Sequence, residues 1–195
     1  MQALVVCCHP LPESLSRRFS SAAIDALRKA GHQVDYLDLY AEDYRPALNA
    51  EARLAYYANP PALLSAETEQ LRRAEILVLA FPTWWFSPPA MLKGWIDRTF
   101  APDAAFAHAS DFGPIKPLLT DLKHVVVVTT LGSPWWVDWL VMRRPVRTVL
   151  KSALFAACAP QARFHYLPFY AAEKPEAGRV TAAMDRLTDR LGKLS

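Results

Sequence analysis

Three short stretches carry residue types from which a binding site can be built. The first is His9-Pro10-Leu11-Pro12-Glu13-Ser14-Leu15-Ser16, where two hydroxyls lie beside the amides that open a helix. Such a terminus attracts phosphate through its free N–H groups and its dipole. Arg17 and Arg18 follow and add positive potential. The second is Phe81-Pro82-Thr83-Trp84-Trp85-Phe86-Ser87-Pro88-Pro89, a stiff wall of prolines and bulky aromatics. A flat, redox-active ring needs such a wall for stacking and for limiting water. The third, Thr129-Thr130-Leu131-Gly132-Ser133-Pro134, combines hydroxyls with a glycine that allows close backbone approach, so a pyrimidine-like ring edge suits its amides. Taken singly, these are a capped helix, a set of core or subunit-contact aromatics, and a plain strand-to-helix turn. Taken together, they make a phosphate handle, a ring wall and a polar ring edge, provided the fold brings them to one place.

The surrounding pattern supplies that fold. Gln2 to Cys8 is a short, continuous, valine-rich apolar run of the kind that forms a strand buried on both faces. Leu15, Phe19, Ala22, Ala26 and Ala30 recur at helical spacing, with Ser14 as N-cap and Gly31 as stop. Gln33 to Leu39, Glu75 to Phe81, Lys123 to Thr130 and Ala162 to Leu167 are the further strands. Helices are expected near Asn49 to Tyr57, over Ser65 to Ala74, over Pro88 to Phe100 (with proline in the first turn), from Pro145 to Ala157, and through Val180 to Leu194. Ala41 to Pro61 and Ala101 to Pro117 read as long loops. Strands and helices alternate, which implies a three-layer α/β fold with a five-stranded parallel sheet and helices on both faces. Five strands of this kind suggest the flavodoxin-like order 2-1-3-4-5, in which ligands sit outside the carboxyl ends of the strands. No repeat, low-complexity tract or linker interrupts the chain, so residues 1–195 read as a single domain.

Composition excludes several classes. Of the 195 residues, 52% are hydrophobic and 21% charged, which argues against disorder. The net charge is only +3, with scattered arginines and no basic run, so a nucleic-acid partner is not expected. The first residues lack a basic leader region, and no apolar stretch approaches the ~20 residues of a membrane span. Cys7, Cys8 and Cys158 show neither C-x-x-C nor zinc-type spacing, so no metal is expected, and they suit a reducing cytoplasm as small core residues. Neither G-x-G-x-x-G nor a P-loop is present.

Phe81-Pro82-Thr83-Trp84-Trp85-Phe86, followed by Pro89-Ala90-Met91-Leu92-Lys93-Gly94-Trp95-Ile96-Asp97-Arg98-Thr99-Phe100, closely resembles the NAD(P)H:quinone oxidoreductase family, a flavodoxin-like group. The opening strand with His9, Pro10 and Ser14, and the Thr129-Thr130 pair, match as well. The resemblance implies a flavin, FAD ahead of FMN, with NAD(P)H as co-substrate, and a homodimer whose active sites lie at the interface. Carried over by position, His9, Ser14 and Ser16 hold the phosphate side. Pro82, Thr83, Trp84, Trp85 and Phe86 flank the isoalloxazine, and Thr129, Thr130, Gly132 and Ser133 meet its edge. Phe86, Phe106 and Trp135 are assigned to the substrate pocket. The chain departs from the pattern at Leu131, where many relatives carry glycine, and in Trp135-Trp136-Val137-Asp138-Trp139, where no tyrosine–histidine pair stands.

The implied reaction is a two-electron, ping-pong hydride transfer through flavin N5 to a quinone or similar small acceptor, and such chemistry lives on the cofactor. It needs no protein acid/base pair, although His108 is one proton source to consider. Lys93 and Asp97, at i and i+4, read as a surface pair. Trp135, Trp136 and Trp139 read as a dimer contact, a lid or a membrane-surface touch. Three other functions fit the same pattern: a nitro- or azo-reductase, a regulatory ancillary subunit of an ion-efflux system, and a one-electron flavodoxin-type carrier. The last is disfavoured by the positive net charge.

Overall fold

The computed structural model describes residues 1–41, 44–55, 65–107 and 113–194. His108 and the end of the helix expected at Asn49 to Tyr57 lie outside these residues. In chain order the elements are β1 (Gln2–Cys7), α1 (Leu15–Lys29), β2 (Gln33–Asp38), α2 (Ala50–Ala55), α3 (Ala66–Arg72), β3 (Ile76–Pro82), α4 (Ala90–Thr99), β4 (Phe106–Ala107), β5 (Lys116–Pro117) and β6 (His124–Thr130). A π-helical turn at Val137–Val141 follows. Then come α5 (Pro145–Thr148), a π-helical run over Val149–Phe155, α6 (Ala156–Cys158), β7 (Arg163–Phe169) and α7 (Ala177–Leu191).

The five long strands pair in parallel in the order β2-β1-β3-β6-β7. This is the expected 2-1-3-4-5 order, because β4 and β5 form a separate antiparallel ribbon in what the sequence pattern suggested was an unbroken loop. Successive side chains of a strand point to opposite faces. Leu4, Val6, Leu77, Leu79, Val125 and Val127 accordingly pack on one side with Leu71, Leu92, Trp95, Leu150 and Phe155 from α3, α4 and the 145–158 helical stretch. Ala3, Val5, Ile76, Val78, Val126 and Val128 pack on the other with Phe19, Leu27, Val180, Leu187 and Leu191 from α1 and α7. Burial on both faces explains the unbroken apolar runs of β1, β3 and β6.

One strand boundary differs from expectation for an identifiable reason. The last strand runs through Pro168 to Phe169, beyond the expected end at Leu167. It is an edge strand, where a residue without an N–H forfeits no ladder bond on its open side. Gly31 leaves α1 in the left-handed region at φ 83°, as a helix stop requires. The three cysteines are buried and unbridged, and burial pushes the Cys8 thiol up to about 12 and the Cys158 thiol to about 11. They are core residues, without thiolate chemistry at neutral pH.

Gly94 explains the glycine in the Leu-Lys-Gly-Trp run. A methyl group there would overlap the Cα, Cβ and carbonyl oxygen of Pro46, so α4 lies directly against that backbone. Gly94→Ala is expected to destabilise the protein by about 1–3 kcal/mol through overpacking. A urea midpoint equal to wild type would refute this close approach.

Candidate functional site

Parallel register sets the carboxyl ends of β1, β3 and β6 side by side, with Cys7 opposite Ala80 and Pro82 opposite Thr130. The turns beyond them continue the contact. The Cys8 amide donates to the Ala80 carbonyl at 2.9 Å, and the Thr83 amide donates to the Thr130 carbonyl at 2.8 Å. The Thr83 and Thr129 hydroxyls share a hydrogen bond of 2.7 Å. The His9 ring stands edge-on to Trp84, with 6.3 Å between centroids. The first turn thus meets the second through His9 and Trp84, and the second meets the third through Thr83.

On the first turn, the Ser14 hydroxyl accepts from the Arg17 amide at 3.3 Å and caps α1. Ser16 is buried, and its hydroxyl has no hydrogen-bond partner among the described residues. Arg17 does not add free positive potential. Its guanidinium pairs with the buried carboxylate of Asp38 and donates to the carbonyls of Leu11, at 3.0 Å, and His9, at 3.3 Å. It is a clasp that fixes the turn, and its charge is already matched. Burial, ahead of the Arg17 charge, lowers the His9 pKa below its usual value, so this imidazole is neutral at pH 7. Its Nδ1 accepts from the Leu11 amide at 3.0 Å.

The aromatic wall is a tight hairpin. Trp84 and Ser87 exchange both amide-to-carbonyl bonds, at 3.1 and 3.0 Å, around Trp85 and Phe86. Both central residues are left-handed, at φ 51° and 55°. Such turns normally take Asn-Gly. A bulky aromatic there costs on the order of 1–3 kcal/mol, strain of a kind that gathers at functional sites. The turn projects Trp85 outward until it is 98% exposed. The amides of Trp85 and Phe86 donate to no described group. Pro82 is buried, and Thr83 half-buried.

On the third turn, Thr129 is fully buried and joined to Thr83, while Thr130 is at the edge of burial. Gly132 is exposed, and a methyl group there would come within 2.8 Å of the Glu173 carboxylate. The Ser133 hydroxyl is buried without a described partner. The segment after β7 is laced to this turn. The amides of Ala171 and Ala172 donate to the carbonyls of Ser133 and Leu131, at 3.1 and 2.9 Å, and the Leu131 amide donates to Phe169 at 2.9 Å.

Beside the hairpin lies a mainly apolar cavity of about 520 Å³, lined by Phe86, Ile96, Phe100, Phe106, Val149 and Leu154 among others. Its size falls in the range of small-molecule sites. It joins Phe86 with Phe106, as the sequence grouping had them, but Trp135 is not among its lining residues and stands half exposed on the outer surface. The expected Lys93–Asp97 pair is present at 2.6 Å, on the cavity wall. Two elements escaped the sequence reading. The Arg17 clasp requires knowing that β2 ends beside α1, and the α4 face of the cavity requires knowing where the 145–158 stretch packs. The one available signal was Asp38, an acid closing an otherwise strand-like run.

Among known proteins, the Flavodoxin_2 family model, described as a flavodoxin-like fold, matches residues 1–193. NAD(P)H dehydrogenase [quinone] 1 of Cavia porcellus is 31% identical over 153 residues, which cover 68% of this chain and 54% of that protein. The chain therefore spans about half the length of that relative. Ribosyldihydronicotinamide dehydrogenase [quinone] of Pongo abelii is 26% identical over 212 residues, covering 95% of this chain and 90% of that protein. The FMN-dependent NADH-azoreductase of Bacillus anthracis, solved in complex with FMN, matches with a TM-score of 0.81 at 17% identity over 98% of each chain, a likeness of fold. With its strand order, its fastened turns and a family match over nearly every residue, the chain belongs to the Flavodoxin_2 family of flavodoxin-like proteins, the NAD(P)H:quinone oxidoreductase family that residues 81–100 resemble.

Proposed function

We propose that this chain is a flavin-dependent NAD(P)H oxidoreductase that passes two electrons to a quinone or similar small acceptor. One observation carries the reading. Three turns of different chemistry are fastened at one sheet edge by His9–Trp84 and by the paired Thr83 contacts to Thr129 and Thr130. The residues present suit a flavin. Among the described residues, buried hydroxyls without partners occur on both polar turns, at Ser16 and Ser133, and the unengaged amides of Trp85 and Phe86 lie on the aromatic turn between them in sheet order. His9, Ser14 and Ser16 would hold its phosphate side, Pro82 to Phe86 its ring face, and Thr129, Thr130, Gly132 and Ser133 its ring edge. When bound, a flavin supplies the hydride chemistry at N5 in ping-pong order, with NAD(P)H as donor.

The chain's own part is to position and exclude. The apolar cavity beside Phe86 offers a place for an acceptor ring and limits water there. Fixed amides preorganise the ring edge without adding mobile charge. The relatives named for quinone dehydrogenation and the FMN-bound azoreductase support this reading. Residues 1–195 then form one flavin-binding domain. A homodimer with the site at its interface is part of the proposal, supported by Trp85, next in sequence to the cavity-lining Phe86, which no described residue covers. Three reduced, buried cysteines support a cytoplasmic setting. Among the described residues, no helix is long and apolar enough to cross a membrane.

Purified protein is expected to be yellow and to bleach on addition of NADH or NADPH. Its cofactor, released by heat, is identified by mass as FAD or FMN. A colourless protein that takes up neither flavin overturns the proposal. Trp85→Ala is expected to raise the flavin dissociation constant roughly tenfold by removing a stacking face. Because Trp85 is almost wholly exposed, thermal stability of the apoprotein should stay at the wild-type value. Flavin affinity unchanged in that variant would place the ring wall elsewhere.

A further inference from the structure

A carboxylate stands against the ring-edge turn. Glu173 Oε1 lies 2.8 Å from the position that a Cβ would take on Gly132, and the Glu173 Cγ and Cδ lie 3.4 Å from it. The side chain therefore fills the side of Gly132 on which a β-carbon is missing. Its backbone is fastened in the same place. The amides of Ala171 and Ala172, the two residues before it, donate to the Ser133 and Leu131 carbonyls at 3.1 and 2.9 Å. Gly132 lies between these two acceptors, so the segment runs alongside the turn and delivers the carboxylate to its middle residue.

This charge is unmatched. Glu173 is exposed, and among the described residues no lysine or arginine pairs with it. The next residue, Lys174, is exposed and makes no ion pair among them either. Other charged groups of this corner are engaged elsewhere. Arg179 donates to the Tyr170 carbonyl at 2.8 Å and lies over the Phe169 ring. Arg144 lies over the Trp139 ring, 4.2 Å from its centroid. Asp138 is buried and accepts from the Tyr170 hydroxyl at 2.8 Å, and that hydroxyl accepts from Trp139 Nε1 at 3.2 Å.

The flavin reading, on which this inference rests, sets Gly132 and its neighbours at the ring edge. Hydride from NAD(P)H delivers two electrons and one proton and leaves NAD(P)+. The reduced ring then carries one added negative charge, at its N1–O2 edge, until water supplies a second proton. Amides beside that edge favour the added charge, and a carboxylate opposes it. We propose that Glu173 sets the redox poise of this site, its carboxylate lowering the potential of the bound flavin and making the reduced protein a stronger donor to its acceptor. Glu173 acts through its field. It accepts no proton and forms no bond in the reaction, and its action does not require the carboxylate to stay open to solvent when a partner subunit covers this edge.

The test is the two-electron potential of the flavin-loaded full chain, read by equilibration with a redox dye in mildly alkaline solution. Glu173→Gln is expected to shift the equilibrium toward reduced flavin roughly tenfold, equivalent to about 30 mV. Glu173→Asp, which keeps the charge, should stay nearer to wild type. Raised salt should move the wild-type potential in the same direction, and more than that of Glu173→Gln, because it screens exposed charge. A yellow Glu173→Gln protein with the wild-type potential overturns the proposal, as it would if a partner's cation matched the carboxylate. Equal shifts in the Gln and Asp variants, with no response of wild type to salt, assign the effect to a loosened turn and overturn it too. A wild-type protein that takes up no flavin removes the reading beneath the proposal, and the visible spectrum tells that result apart from the other two.

Discussion

Thr83 is joined to the neighbouring strand end twice, through its amide to the Thr130 carbonyl and through its hydroxyl to that of Thr129. This pair of bonds turns a sheet edge into a site. Parallel register already brings three strand ends to one level, but turns leaving a sheet are free to splay. The double bond at Thr83 continues the ladder one residue past β3, so that the aromatic hairpin starts from a fixed point. His9 and Trp84 then close the other side of the arrangement. Substituents at these positions act on geometry first and on ligand contact second.

Two features show how local cost is accepted to shape this edge. Trp85 and Phe86 occupy a backbone region that suits glycine and asparagine, and the flanking Trp84–Ser87 bonds hold them there. Arg17 is held in a similar way, its charge matched by buried Asp38 and its remaining donors taken by two carbonyls of the first turn. What the first turn can offer an anion is therefore helix-end amides and hydroxyls, with Arg18 exposed nearby. A matched Arg17 fixes the turn without drawing anions in from solution.

The fold was legible because its signals are collinear with the chain. Ile76 to Phe81 and Val125 to Val128 are buried on both faces and read as continuous apolar runs, and Ser14 and Gly31 bracket α1 as helix punctuation. The three turns of the candidate site were legible for the same reason, since each follows a recognisable strand. What escaped the reading depends on contacts between distant segments. Whether Trp135 lines a pocket or faces outward depends on the corner set by Tyr170, which lies 35 positions on, through Trp139 and Arg144. The continuation of β7 through Pro168 depends on its lying at the sheet edge, a fact of topology. Gly94 belongs to the run that carries the family resemblance, and its physical reason, the backbone at Pro46, comes from a segment whose pattern reads as loop.

The lacing of the post-β7 segment to the ring-edge turn ties this edge to the far end of the polypeptide. Leu131 and Ser133 receive the amides of Ala172 and Ala171, and Glu173 rests against Gly132. The segment then leads through a few residues into α7, whose Val180, Leu187 and Leu191 pack under the sheet. Loosening the last helix would therefore slacken the ring-edge turn from behind, even though no residue of that helix belongs to the crevice. The turn after β6 and the docking of the closing helix become a single cooperative unit, in which local opening at one place exposes the other.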